Sequence, residues 1–319
     1  MRVWTAAIMV VAVGTLAAAC GGTDPIVSPD RADRAVQPVS GVHPNRSLVA
    51  DGGQFLTSCP LSHQLDDDPI MHRGHAGMSH HHEFFGNYST DATSTYASLV
   101  DAATTCSDAG DRSAYWVPEL VVDGKRVEPK RVDAYYRVAH GVVPTDVRPY
   151  PDGLEVLAGD MHATTSAPFT VAAWACGGSP EVAAAPPKTC TDDRPVQLRL
   201  TFPSCWDGAQ TAPSDHRSHM SYPSQDDGCD TEHPVAVPQL TLTVHYPLAG
   251  TYSQASLASG GFTTTHGDFL AAWEHERIAD QVSGCLARSV TCGLVGGTFH
   301  TGPGAGDVNT YNQRPVAER

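Results

Sequence analysis

The chain has 319 residues and carries 20 Lys+Arg against 35 Asp+Glu, a formal charge of −15. A polyanion-binding surface on that background would need strong local clustering of basic residues; no such run exists, which argues against nucleic-acid binding. Charged residues make up only 17% and hydrophobic ones 41%, with 29 Gly and 24 Pro, a profile that suits a loop-rich, mainly β protein rather than a coiled coil or helical repeat.

The first elements in chain order concern export. Arg2 precedes an apolar run from Ala6 to Ala19 that ends at Cys20. Residues 1–19 therefore read as a secretory signal peptide, too short for a membrane span. Leu16-Ala17-Ala18-Ala19-Cys20-Gly21 resembles a bacterial lipobox, with Ala17 standing where Leu is usual. It predicts lipidation at Cys20 and a membrane partner through that lipid, hence an extracytoplasmic anchored protein. Ordinary signal cleavage, giving a secreted protein, is the plainer alternative. Residues 20–54 are polar, Pro-containing and aperiodic, and read as a lipid-anchored flexible tether.

The folded domain is expected over 55–292, followed by a Gly-rich tail over 293–319. Strand character marks Ala114–Val122, Val127–Val138, Leu154–Leu157, Phe169–Ala175, Val196–Phe202 and Leu240–Tyr246. Asp123-Gly124 accepts the positive φ angles of a tight hairpin turn. Leu240–Tyr246 alternates as a half-buried strand should. Helices are expected over Ser94–Ala103 and from Asp268, as N-cap, to about Leu286. Setting Cys20 aside leaves eight cysteines, an even number that reads as disulfides in an exported chain. Sequential pairing gives Cys59–Cys106, Cys176–Cys190, Cys205–Cys229 and Cys285–Cys292. Together these features predict a single mainly β, disulfide-stapled domain with helical decorations, of β-sandwich or jelly-roll type.

Three clusters carry candidate chemistry. In Met71–Asn87, His80 and His82 point to one side of an extended chain, and such a pair can chelate a transition metal. A solvated His-rich loop, or two buried hydrogen-bonding imidazoles, would show the same spacing. Asp68, just upstream, could add a carboxylate. In Thr263–Phe269, His266 and Asp268 are also two apart, and Asp268 as a plain N-cap is the bland alternative. In Phe202–Pro223, Asp215, His216 and His219 could serve as ligands or acid/base groups, while Arg217 and Tyr222 could hold an anionic or hydroxylated ligand. A disulfide-bounded surface loop with internally paired polar groups would look alike. The chain has no GxSxG elbow, P-loop, strand-linked GxGxxG or HExxH, which disfavours serine hydrolases, nucleotide enzymes and zincins.

The ordered set Asp68-Pro69-Ile70, Ser79-His80-x-His82-x-Phe84-Phe85-Gly86-Asn87, Ser113–Pro118, Phe202–Gly208, Asp215–Pro223 and His266-Gly267-Asp268-Phe269 with Trp273 resembles the DUF1996 family over about residues 55–290. Its members are secreted proteins of fungi and actinobacteria, and some fungal ones carry carbohydrate-binding WSC domains. The family name itself states that its function is unknown. The resemblance singles out His80 and His82 rather than His72, His75 or His81, and it implies one convergent site. It suggests a cell-wall or extracellular carbohydrate context. Two functions follow as expectations. One is a hydrolase or lyase with His80, His82, Asp215, His216, His266 and Asp268 as catalytic candidates. In it His80, His82 and His266 hold a possible divalent metal, and Trp116 and Trp206 contact sugar rings. The other is a non-catalytic glycan- or metal-binding envelope module.

Overall fold

The computed structural model describes residues 43–44, 49–295 and 298–299, with side chains over 53–292. The expected signal peptide, Cys20, most of the tether and most of the tail lie outside the described residues. Nine strands form one continuous path: β1 (Val49–Leu65), β2 (His82–Gly86), β3 (Ala114–Pro118), β4 (Arg131–Ala139), β5 (Glu155–Gly159), β6 (Ala172–Cys176), β7 (Val196–Thr201), β8 (Gln239–His245) and β9 (His266–Leu270). Their order across the sheet is β5-β9-β3-β2-β1-β4-β8-β7-β6, and neighbours on this path run antiparallel. The strand Thr291–Val295 adds to β1 in parallel and so carries regular structure past the expected boundary at Cys292. β1 likewise starts before Phe55.

The sheet curls into a nearly closed sandwich or barrel. β9 lies face to face with β7, where Gly267 sits so close to Leu200 that an added Cβ would stand 2.5 Å from its Cδ1. The interior is filled by Phe55, Tyr115, Tyr136, Leu198, Leu242 and Phe269, with Phe55 stacked on Tyr136 at 4.6 Å. Val196–Thr201 alternates buried and half-buried as a one-sided strand should. Leu240–His245 does not: the expected exposed face, Thr241 and Thr243, is also covered.

Two helix expectations require correction. Ser94–Ala103 yields only Tyr96–Leu99, with Ser98 closing a capping box on Thr95. The stretch opening at Asp268 is strand β9; the helix begins later, at His275–Gln281, and runs on as a wider π turn over Val282–Leu286. Asp268 is therefore mid-strand and caps nothing. The apolar run Phe269–Trp273 reads equally as helix or buried strand, and pairing on both edges decides for strand.

The Asp123-Gly124 turn has φ values of 49° and 74°, both positive as a tight hairpin demands. All four disulfides pair sequentially, as expected. They suit an oxidising, extracytoplasmic setting. Among the described residues no helix is long and apolar enough to cross a membrane.

Candidate metal centre on the outer sheet face

The outer face of β2, β3, β9 and β5 is not exposed. Loop residues Ile70 and Met71 and helix residue Leu99 pack on Phe84, Trp116, Leu157 and Leu270 to make a second small core. This cover buries the polar side chains that share the face. Across the sheet the register aligns Phe84, Trp116, Asp268 and Leu157 in one row. Two residues nearer the same end, His82 stands opposite Pro118 and His266 opposite Gly159, so the two histidines flank β3 from its two neighbours. The period-2 rule puts His266 and Asp268 on this face together.

His80, on the strand's approach, completes the group. Its ring centroid is 4.2 Å from that of His82 and 5.1 Å from that of His266. One nitrogen from each of the three rings lies within 4.8 Å of the others, and Asp68, His82 and Asp268 form a second such trio around the shared His82. His81 points away, bonding Asp66 at 2.6 Å. The alternation expected of the His tract is therefore present.

Hydrogen bonds fix which nitrogens face inward. Nδ1–H of His82 donates to the Asp67 carbonyl at 2.9 Å, and Nδ1–H of His266 donates to the Thr264 carbonyl at 2.7 Å. Each bond sets the tautomer with the Nε2 lone pair aimed at the cluster. The Nε2 atoms of His80, His82 and His266, Oδ2 of Asp68 and both oxygens of Asp268 are buried and have no partner within the protein. Asp68 Oδ1 accepts the amides of Ile70 and Met71 at 2.9 Å each, which holds the loop over the site. Trp116 N–H lies near enough to Asp68 to favour its carboxylate without closing a bond of normal geometry. Asp67 ties the same loop by accepting the amides of Gly77 and Ala92 at 2.7 and 3.0 Å.

Burial pushes His80 and His266 down to about 4 and His82 well below the usual imidazole range, so all three are neutral donors of a lone pair at pH 7. Burial, then the neighbouring Asp68, drives Asp268 far above the usual carboxylate range. Neutral imidazoles beside carboxyl groups that resist ionising are what a cation-binding site looks like without its cation. Ligand atoms around one zinc ion stand about 3.3–4.2 Å apart when each bond is roughly 2.0–2.1 Å. The 4.8 Å limit observed here needs shifts of no more than about an ångström. A donor set dominated by imidazole favours zinc, copper, iron or nickel over magnesium and calcium.

The remaining candidates are placed differently. Asp215 is exposed; its Oδ1 accepts the amides of Arg217 and Ser218 at 3.1 Å each and the Ser218 hydroxyl at 2.9 Å. It closes a turn and stays outside the cluster. His219 is buried and bonded to the Glu155 carbonyl at 2.6 Å. Tyr222 donates to the Thr201 carbonyl at 2.8 Å. Trp116 is fully buried and stacks on Phe84 at 5.6 Å, so it presents no face to a sugar. Trp206 is half-buried, its N–H bonded to the Gln210 carbonyl at 2.6 Å. His216, Arg217 and Tyr222 line a cavity of about 320 Å³ that also includes Leu157 and Gly159.

Gly159, which the sequence did not single out, has a structural reason to be there. Its φ is +76°, and a Cβ would stand 2.2 Å from the Thr265 carbonyl oxygen and 2.9 Å from the His266 Cα. Only glycine lets β5 approach the strand that carries His266.

Residues 68–273 match the model of a family described as a domain of unknown function (DUF1996). No curated protein and no solved structure matches the chain.

Proposed function

The chain belongs to the DUF1996 family, and we propose that it is an exported envelope protein holding a divalent transition metal on His80, His82, His266 and Asp268. In this proposal it uses the ion as a hydrolase or lyase on an extracellular carbohydrate polymer. One observation carries the metal assignment: three buried imidazole nitrogens converge with a doubly unpartnered buried carboxyl group. Leaving several buried acceptors unmade costs about 1–3 kcal/mol each, which no apolar packing nearby recovers and which a cation removes. A bound ion supplies Lewis acidity and a water acidified toward neutral pH.

The protein's own residues do the rest. His82 and His266 are held in one tautomer by backbone carbonyls. His80, half-buried, is the least enclosed of the three and lies on the accessible side. Asp68, its second oxygen unbonded, is placed to accept a proton or hydrogen-bond a water at the centre. The carbohydrate assignment is supported by the company that fungal members of the family keep and by the cavity beside the site.

Elemental analysis of the tagless, chelator-washed and re-metallated full chain is expected to give about one equivalent of transition metal. The His80→Ala/His82→Ala variant should give none while keeping its circular dichroism. A wild-type protein that retains no metal after dialysis sinks the assignment. Membrane attachment through Cys20 belongs to the same proposal. Mass spectrometry of detergent-extracted protein should find a diacylglycerol-modified Cys20 at the mature N-terminus, absent in Cys20→Ser; an unmodified N-terminus in the wild type overturns it.

A further inference from the structure

The cavity beside the metal cluster carries chemistry that the metal assignment does not use. Two of its lining residues are the direct cross-strand neighbours of the cluster: Gly159 faces His266, and Leu157 faces Asp268. A molecule filling this cavity lies against β5, the strand next to the one that bears His266 and Asp268, and none of the candidate ligands themselves lines it. Its volume of about 320 Å³ falls at the small end of sites for small ligands, which run from roughly 300 to 1,000 Å³.

The wall supplied by residues 215–222 is a built one. His216 adopts φ +58°, a conformation uncommon for a residue with a side chain, and the three bonds accepted by Asp215 lock the turn around it. Nδ1 of His216 is buried, makes no hydrogen bond, and faces the buried Glu155 carboxylate at 4.0 Å. Arg217 follows directly, and one guanidinium N–H donates to the Gly159 carbonyl at 2.9 Å, anchoring the side chain at the junction of cavity and cluster. Its other donors are uncommitted, and no carboxylate among the described residues lies within ion-pair reach of it. The Arg217 charge is nonetheless felt at His266 and Asp268.

Leu157, Val171 and Met220 make part of the lining apolar, and Thr165 and Ser166 bring hydroxyls to it. Asp160 also lines the cavity; one of its oxygens accepts the His162 amide at 2.8 Å, and the carboxylate remains able to accept from a hydroxyl. Apolar walls suit the C–H faces of a pyranose, hydroxyls and Asp160 suit its OH groups, and a planar guanidinium suits a carboxylate. The lining offers a single guanidinium, whose one positive charge and planar pair of donors match a carboxylate better than the two charges of a phosphate monoester.

We infer that this cavity is the substrate pocket of the metal site and that Arg217 selects a sugar bearing a carboxylate, that is, a uronic acid unit of an acidic polysaccharide. The inference deepens the proposed function and rests on it. Asp215 is then a positioning residue for Arg217 and His216, and it never touches the ligand.

The test is calorimetric binding by the metal-loaded full chain. Short oligomers of galacturonate, glucuronate and mannuronate are each compared with the neutral hexose oligomer of the same linkage. At least one acidic oligomer should bind about tenfold or more tightly than its neutral counterpart, as a charge-assisted bidentate contact predicts. Arg217→Gln should erase that preference with metal content unchanged, and Arg217→Lys should restore part of it. An equal affinity within every pair, no binding by any oligomer, or a preference that survives Arg217→Gln overturns the inference. Metal-loaded protein lacking the preference overturns the uronate assignment alone. Wild-type protein that takes up no metal on loading yet keeps an Arg217-dependent preference overturns the metal assignment alone.

Discussion

Excess zinc added to the chelated protein at pH 7.5 should raise its melting temperature by roughly 10 °C, and His82→Ala or His266→Ala should abolish the rise. A ligand that binds only the folded state at a thousand times its dissociation constant adds about 4 kcal/mol. For a domain of this size each kcal/mol moves the transition by roughly 2–4 °C. The centre is suited to deliver such a gain because its donors are already buried, neutral and oriented, so little ordering remains to be done on binding. His80, only half-buried, should matter less than His82 or His266. A scan in which zinc, copper, nickel and ferrous iron all leave the wild-type transition unmoved would refute a preformed site.

The chelated protein also carries a pH signature. The folded value for His266 is about 4, below its unfolded value of 6.5, so between these limits the unfolded chain binds the extra proton. Stability from this group is whole above about pH 6.5 and is lost as pH falls toward 4. With the ring only 4% exposed, the loss from His266 alone is roughly 3 kcal/mol at about 1.4 kcal/mol per unit. His82 acts in the same direction. Urea midpoints of the chelated protein taken from pH 7.5 to 4.5 should fall steadily, and His266→Gln should flatten the slope.

Much of the architecture was legible because it is local. The Asp123-Gly124 hairpin is set by two residues that tolerate positive φ, and the four disulfides join cysteines that are neighbours in the cysteine order. The separation of His80 and His82 from His81 follows from alternation alone. What escaped was non-local. Asp268 looked like the start of a helix because Phe269–Trp273 is apolar in either geometry, whereas its strand state is decided by Trp116 and Leu157, both more than a hundred positions away. The burial of Trp116 has the same origin: only the loop that brings Ile70 over the sheet turns an apparent sugar platform into core. Gly159 and Leu157 sit in an ordinary strand sequence, and their meeting with His266, Asp268 and Arg217 exists only in the cross-strand register.

Asp268→Asn should stabilise the metal-free protein at pH 7 while weakening metal binding by tenfold or more. A buried carboxyl whose value is raised keeps its proton in the folded state over a range where the unfolded chain has released it. Its contribution favours folding at low pH and is lost as pH rises from 3.8 toward the folded value, so the chelated protein at neutral pH bears a penalty that it does not bear at low pH. Asparagine has nearly the same shape and no charge. Its amide can donate toward the His266 Nε2, which now stands 3.9 Å from Asp268 Oδ2 with no donor of its own. The expected gain is about 1–3 kcal/mol. If Asp268 instead holds the sheet together, its replacement leaves broken bonds and the variant melts lower than the wild type with or without metal. Activity bought at the expense of stability is the pattern of a functional site, and a higher melting point of chelated Asp268→Asn combined with a lost zinc response would place Asp268 there. A lower melting point in chelator would move it to the structural side and leave the three histidines to hold the ion alone.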